Sequence, residues 1–281
     1  MLEALFLGIL QGLTEFLPIS SSAHLRIAGE FLPNASDPGA TFTAITQIGT
    51  EIAVLIYFRK DLKRIGQSFL RSIFARDKVG QPLDSATVQE AKLGWFIILG
   101  SLPILIIGFL GQEYIRTTLR SLWLVAFALI VFGLILGYLD AKRPHERKLT
   151  DLTFIHATLF GLAQAVALIP GVSRSGATIA MGRALKYDRV SALRYSFLLA
   201  IPAVLASGFN ELFEAIKNPG GSFSLLETAA ATGAALLVGY AVIAWLMRFI
   251  STRSFAPFVI YRVILGTAIL GLLSNGFLSS I

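Results

Sequence analysis

The sequence predicts an all-α integral membrane protein with six transmembrane helices and two re-entrant helix hairpins, arranged as an inverted-topology repeat. Three observations carry that prediction. Hydrophobic residues make up 55% of the 281 positions and charged residues 15%, with a mean hydropathy of +0.71. That is far too apolar for an ordinary soluble domain. Apolar runs at about 40–58, 94–112, 119–139, 192–210, 229–250 and 258–274 each approach the ~20 residues a helix needs to cross ~30 Å of hydrocarbon. Two shorter runs, about 2–17 and 154–170, each stop at a proline followed by Ser- and Gly-rich polar sequence. Proline blocks helix continuation, and free backbone at membrane depth is tolerated only when it is buried in protein or lines a wet cavity. These two runs therefore read as helices that dip in and return.

Charge placement supports the same count. If all eight runs crossed, the basic segment 59–92 (Arg59, Lys60, Lys63, Arg64, Arg71, Arg76, Lys78) would be cytoplasmic. Segments 171–191 and 248–257, with Arg174, Arg183, Lys186, Arg189, Arg248 and Arg253, would then face outward, against the positive-inside tendency. With two re-entrant runs, 59–92, 140–153, the stretch 183–194 and 248–257 are all cytoplasmic. The outside keeps 33–40, 111–118 and 211–228, the last carrying Glu211, Glu214, Lys217 and Glu227. Both termini then face outward, and residues 59–92 form a partly helical cytoplasmic loop. The chain reads as one integral membrane domain, with residues 1–150 as the first inverted repeat and 151–281 as the second. Gly8-Ile9-Leu10-Gln11 echoes Gly161-Leu162-Ala163-Gln164, although Gln11 to Pro18 is one residue longer than Gln164 to Pro170. In such folds two broken segments meet near the midplane, where a ligand binds.

Composition also excludes some classes. A formal charge of +7 and a pI near 9.8 would suit nucleic acid, but the lysines and arginines sit mainly in loops between apolar runs, so no nucleic-acid partner is expected. There is no cysteine, hence no disulfide frame, thiol nucleophile or thiolate metal site. The N-terminal run lacks a basic flank and carries Gln11 and Glu15 where a signal peptide would be apolar, so cleavage is not expected.

Two polar clusters break this apolar background. In Pro170-Gly171-Val172-Ser173-Arg174-Ser175-Gly176-Ala177-Thr178, an arginine follows directly on an apolar run. A charge at membrane depth costs about 2.5–3.5 kcal/mol on insertion scales and marks a site by default. Small residues let backbone N–H groups approach an oxyanion, a following helix presents its positive end, and Arg174 offers a planar donor fork suited to phosphate. Ser173, Ser175, Gly176 and Thr178 complete this candidate anion site. A nucleotide P-loop is disfavoured, because Ala177-Thr178 replaces the expected Lys-Ser/Thr and no strand precedes the loop. The competing structural reading is a Gly/Ser packing turn with Arg174 reaching to the interface.

The first cluster runs from Gln11 to His24. Gln11 and Glu15 are spaced i, i+4 and share a helix face. A buried carboxylate there can bind a divalent cation or act as general acid or base. Ser20, Ser21 and Ser22 lie beyond Pro18 and suit a nucleophile, a ligand or a helix cap. His24 can move a proton near neutral pH, or serve as a structural residue near the interface. Glu51, in the second run, reads equally as a structural partner for a buried arginine. Arg262 reads as such a partner or as a further phosphate contact. Pro103 and Pro202 mark expected kinks, and His145 and His156 read as loop and interface residues.

With these residues in hand, the chain resembles the BacA family of undecaprenyl-diphosphate phosphatases essentially end to end. The (E/Q)xxxE element and Pro-x-Ser-Ser-x-x-His stretch are here Gln11 to Glu15 and Pro18 to His24. The PGxSRSG-threonine motif is Pro170 to Thr178, and Tyr261 to Gly266 is similar to the family's last helix. Gln11 stands at the first acidic position, which leaves Glu15 as the motif's only carboxylate. Ala23 stands where a glycine is common. The resemblance implies hydrolysis of undecaprenyl diphosphate to undecaprenyl phosphate and phosphate. That reaction recycles the lipid carrier for cell-wall glycans on the outer side of the bacterial cytoplasmic membrane and brings resistance to bacitracin. It also implies dependence on Mg²⁺ or Ca²⁺, with Glu15 and Gln11 as the candidate metal residues and bilayer lipid as the surrounding partner. A homodimer is compatible with this reading.

In the resulting mechanism Arg174 and nearby amides hold the phosphoryl oxygens, and Ser21 attacks with His24 or Glu15 as base. Direct attack by water fits the sequence nearly as well. The remaining catalytic and binding candidates are Gln11, Ser20, Ser22, Ser173, Ser175, Gly176, Thr178 and Arg262. A transporter of phosphate or phospholipid is the competing class, because broken helices in inverted repeats also build carriers.

Overall fold

The computed structural model describes residues 1–32, 39–74, 84–111, 121–218 and 221–278. Among these residues the chain forms α-helices and one 3₁₀ turn, with no strand. The helices are α1 (Leu2–Thr14), α2 (Ser21–Gly29), α3 (Gly39–Tyr57), α4 (Arg59–Phe74), α5 (Ser85–Leu110) and α6 (Leu122–Lys142). They continue as α7 (Phe154–Val166), α8 (Arg174–Ala184), α9 (Arg189–Lys217), α10 (Leu225–Thr252) and α11 (Ala256–Ser274). Six of them, α3, α5, α6, α9, α10 and α11, are long and apolar enough to cross a membrane. They coincide with the six runs read from the sequence.

The two short runs are α1 and α7, each only 13 residues long. At 1.5 Å per residue each spans about 20 Å, short of the hydrocarbon thickness. Each gives way to a break and then to a second short helix, α2 or α8. In segment 59–92, among the described residues, α4 covers 59–74 and the N-terminal turns of α5 begin at Ser85, in line with a partly helical segment. Asp84 caps α5 by accepting from the Thr87 backbone N–H at 2.8 Å. Arg76 and Lys78 lie outside the described residues, as do most of the 33–40 and 111–118 segments expected on the outside. Pro103 and Pro202 sit within α5 and α9, and both helices continue through them.

The short helices pack on the long helices of the opposite half: α1 lies against α10 and α7 against α5. Glycine makes both approaches feasible. A Cβ at Gly8 would fall 2.3 Å from the Ala231 carbonyl oxygen, and one at Gly161 would fall 2.3 Å from that of Gly100. Gly8 and Gly161 are the matching positions of the sequence echo, so the echo reflects a shared packing need. Helix α3 also packs on α9, and α6 on α11. The main apolar core joins Phe16 and Phe58 of the first half to Phe160, Tyr195, Phe197 and Phe255 of the second.

At the cytoplasm-expected end, Asp140 ties α6 to three other elements. It accepts from Arg183 Nε at 3.2 Å, from Arg189 Nε at 2.7 Å and from the Phe255 backbone N–H at 3.1 Å. Arg183 is fully buried and also donates to the Pro144, Tyr187 and Arg143 carbonyls. This cluster leaves no signal in the sequence, because basic residues in a polar loop look alike whether they are solvated or structural.

Candidate active site

The two breaks adopt nearly the same backbone. Ser20 precedes α2 with φ 73° and ψ 93°, and Ser173 precedes α8 with φ 71° and ψ 117°. Both lie in the left-handed region that a non-glycine residue visits only under constraint. In each break the serine before the helix pairs with the serine two residues on. The Ser20–Ser22 Oγ separation is 3.2 Å and the Ser173–Ser175 separation 3.1 Å. Ser20 and Ser173 therefore keep the same spacing from Gly8 and Gly161. The one-residue mismatch inferred from the prolines disappears: Pro18 is matched by Gly171, whose φ is +94°, and not by Pro170. Proline and glycine are two different solutions to ending a helix at the same point.

That register puts Ser21 and Arg174 in equivalent positions, each the first residue of its helix. Both reach the same carboxylate. Ser21 Oγ donates to Glu15 Oε2 at 2.6 Å, and Arg174 Nη2 bonds Glu15 Oε1. Gln11 Nε2 donates to Glu15 Oε2 at 2.7 Å, one turn earlier on α1. The Glu15 side chain is almost wholly buried, whereas Arg174 keeps 18% of its side chain exposed toward the space in front of it. Buried ionised groups persist only when paired and hydrogen-bonded, and Glu15 meets that condition through three donors.

Glu15, Ser20, Ser21, Ser22, Ser173 and Arg174 line a cavity of about 490 Å³. The first turns of α2 and α8 both open onto it, so two helix N-termini add partial positive charge where an anion would sit. The far wall is apolar: Ile104, Leu105, Gly108 and Phe109 of α5 form one stripe, joined by Leu168, Ala203 and Val204. Phe109 is 81% exposed, so this stripe runs out to the surface of the bundle. Gln47, Asn210 and Glu211 close a polar side. The cavity thus has a polar, anion-attracting floor and a greasy wall that leads outward.

The remaining candidates fall around this cavity. Gln11 is buried behind Glu15 and orients it. Ser175 donates to the Leu17 carbonyl at 3.1 Å, stitching the second break to the first. Thr178 is fully buried, bonded to the Arg174 and Ser175 carbonyls and 2.5 Å from Ser196 Oγ. Gly176 has Arg262 Nη1 where a Cβ would lie. These three hold the loop together and do not face the cavity.

His24, on α2 three residues after Ser21, does not line this cavity. Its ring nitrogens meet the Ser20 carbonyl and Tyr261 Oη, each at 2.7 Å, and it lines a separate apolar groove with Leu10, Leu237 and Trp245. This corrects its placement as a base beside Ser21. Arg262 is corrected likewise. It is fully buried and donates to the carbonyls of Leu129, Ala128, Pro18, Gly171 and Val172. Those acceptors include the equivalent carbonyls of both breaks, Pro18 and Gly171, so Arg262 clamps the two breaks together from behind and touches no cavity wall.

Among the described residues no three His, Cys, Asp or Glu side chains gather as a metal-binding group. Both Glu15 oxygens are taken by Arg174, Ser21 and Gln11. This donor set does not fit a protein-built Mg²⁺ or Ca²⁺ cage.

The profile of a family described as "Bacitracin resistance protein BacA" matches residues 4–268, both breaks included. The chain belongs to the BacA family. Similar curated members of the family include the "Undecaprenyl-diphosphatase" of Paenarthrobacter aurescens (strain TC1), 53% identical over 281 residues and covering 99% of both chains. Another, from Pseudarthrobacter chlorophenolicus, is 54% identical over 280 residues, again with 99% of both chains covered. "Undecaprenyl-diphosphatase 2" of Agrobacterium fabrum (strain C58) is 52% identical over 281 residues, covering 99% of this chain and 98% of its own. With its six apolar helices, this BacA-family chain is a multi-pass membrane protein.

Proposed function

We propose that this protein hydrolyses undecaprenyl diphosphate to undecaprenyl phosphate and inorganic phosphate, at the cavity where Ser21 and Arg174 share the carboxylate of Glu15. That shared carboxylate is the observation that carries the mechanism. The substrate class follows from the names of relatives that match over nearly the full chain and from a cavity with a phosphate-suited floor and an apolar wall open to lipid. The same relationship carries the family's role in bacitracin resistance and in recycling the lipid carrier for cell-wall glycans.

Phosphoryl transfer depends on positioning and on charge stabilisation more than on covalent chemistry. The diphosphate displaces Arg174 from Glu15 and takes the guanidinium and the α2 and α8 N-termini for its terminal phosphoryl oxygens. Glu15, relieved of Arg174 but still held by Gln11, is free to accept the Ser21 hydroxyl proton across their 2.6 Å hydrogen bond. The Ser21 Oγ–phosphorus bond forms as the bond to the bridging oxygen breaks, and undecaprenyl phosphate leaves along the α5 stripe. Water then attacks the phosphoserine and restores Ser21. Glu15 replaces His24 as base in this scheme, because His24 faces away from the cavity. A requirement for Mg²⁺ or Ca²⁺ would rest on cations held by the diphosphate's own oxygens, neutralising their charge. All residues of the site come from one chain, so a homodimer is not needed for the chemistry.

The short helices α1 and α7 read as re-entrant and the halves as an inverted repeat, on three supports: their length, their reciprocal packing on α10 and α5, and the matching breaks. The cavity residues Phe109 and Asn210 lie in the parts of α5 and α9 nearest segments 111–118 and 211–228, which hold few basic residues, and Gln47 lies midway along α3. An opening toward the outer side of the cytoplasmic membrane follows from the positive-inside tendency. The test is phosphate release from a prenyl diphosphate by purified protein in detergent, with and without chelator. Release without any compartment supports hydrolysis. Absence of release under all cation conditions would favour a carrier.

A further inference from the structure

Glu51 has no part in the mechanism above, yet it is a carboxylic acid in the middle of a membrane helix with only 1% of its surface exposed. It lies on α3 four residues beyond Gln47, one turn further along the same helix face. Gln47 lines the cavity, so Glu51 sits about 6 Å beneath that wall. The charges that act on it are Arg174 of α8 and Glu15 at the end of α1. Where α10 and α9 approach α3 most closely, the contacts are made by Thr232, Gly239 and Gly208, which carry no charge. Its Oε1 has no hydrogen-bond partner, and neither has Oε1 of Gln11.

An unpaired buried carboxylate is among the most costly groups a protein can hold. Here two carboxyls stand near one guanidinium, and an incoming diphosphate would take that guanidinium away. Ionising both would leave two negative charges facing an anion. Hydrogen bonding decides which one carries the charge: Glu15 is bonded by Arg174, Gln11 and Ser21, whereas Oε1 of Glu51 is bonded by nothing. Two carboxyls whose surroundings differ in this way divide the roles of base and acid between them.

We propose that Glu51 is a positioning residue for the hydrolysis: it keeps a proton while Glu15 is ionised, and so preserves Glu15 as the base facing Ser21. The inference rests on the Glu15–Ser21 reading given above. The neutral form of Glu51 is then the active one. As pH rises it ionises, opposes both Glu15 and the diphosphate, and turnover falls on the alkaline side. Glu51→Gln keeps the neutral shape and removes that ionisation.

The experiment is a pH profile of kcat for wild type and Glu51→Gln, together with infrared spectra of the wild-type protein across the same pH range. The expected result is measurable turnover in Glu51→Gln with its alkaline limb displaced upward by about one pH unit or more. In wild type, the carbonyl band of a protonated buried carboxyl should be present at neutral pH and should disappear over the pH range of the wild-type alkaline limb. Superimposable profiles would overturn the proposal. So would a wild-type spectrum with no protonated-carboxyl band at neutral pH, a reading that holds even if Glu51→Gln does not fold. If wild type released no phosphate, the proposed function would fail separately, and the infrared band would still decide the protonation of Glu51.

Discussion

The two breaks share a backbone and divide the chemistry. In each, a left-handed serine precedes a short helix, its hydroxyl meets that of the serine two residues on, and Arg262 holds the matching carbonyl from behind. They differ in the first helical residue, Ser21 in one and Arg174 in the other, and in the acid. Glu15 precedes the first break, seven residues beyond Gly8, whereas the matching position before the second, seven residues beyond Gly161, is the apolar Leu168. In the proposed mechanism the first break therefore carries the nucleophile and base, and the second carries the charge that binds and stabilises. Two breaks of nearly the same backbone meet at one point, and their different side chains make the site asymmetric.

The largest effect should come from the charged side. Arg174→Ala removes the guanidinium paired with Glu15 in the cavity, and loss of such a contact in phosphoryl transfer costs about 10³-fold or more in kcat. Glu15 keeps its bonds to Gln11 and Ser21, so the variant should remain folded. Exchanging the two first residues (Ser21→Arg with Arg174→Ser) tests the asymmetry itself. It retains both groups and the carboxylate but moves each to the other break, and turnover should stay at the level of Arg174→Ala. Recovery to within tenfold of wild type would show that the halves are interchangeable.

Next comes the clamp. Arg262→Met strips the donor from the buried carbonyls of Pro18, Gly171 and Val172 in the breaks, each costing roughly 1–3 kcal/mol when left unpaired. Thermal unfolding in detergent should shift down sharply, and activity should fall with it. Retained stability would remove the clamp from the account. A smaller contrast separates the serines. Ser173 accepts from the Gly176 N–H at 3.1 Å as a true cap, while Ser20 makes no such bond. Ser173→Ala should cost about 1 kcal/mol of stability, whereas Ser20→Ala should leave stability unchanged and weaken turnover. Smallest is His24→Gln. It should lower kcat modestly through the Ser20 carbonyl without moving the acidic limb of the pH profile, because His24 does not exchange protons with the substrate.

Much of this was legible in the sequence. The six spans, the two short runs and the polar clusters around Glu15 and Arg174 were all visible, because a membrane makes hydropathy and isolated charges unusually informative. The direction of a side chain was not visible. His24 and Ser21 are three residues apart on α2 and were read together, yet they open onto different spaces. Arg262 reads from the sequence as a structural partner or a phosphate contact, because the backbone carbonyls it holds leave no trace in residue identity. Counted to the prolines the two echoes differ by one residue, because Pro18 is matched by Gly171 and not by Pro170. Glu51 stood out as a charge in an apolar run, but its arginine was foreseen as a structural partner and not as the arginine of the site.

The central claim, that one carboxylate is shared by a serine and an arginine from opposite halves, is tested most directly by single-turnover phosphate release. The comparison is among wild type, Glu15→Gln and Arg174→Ala in detergent, each checked for folding. The account predicts release by wild type and a loss of at least about 10²-fold in each variant, the lower bound for a removed general base. Release near the wild-type rate by either folded variant would contradict it.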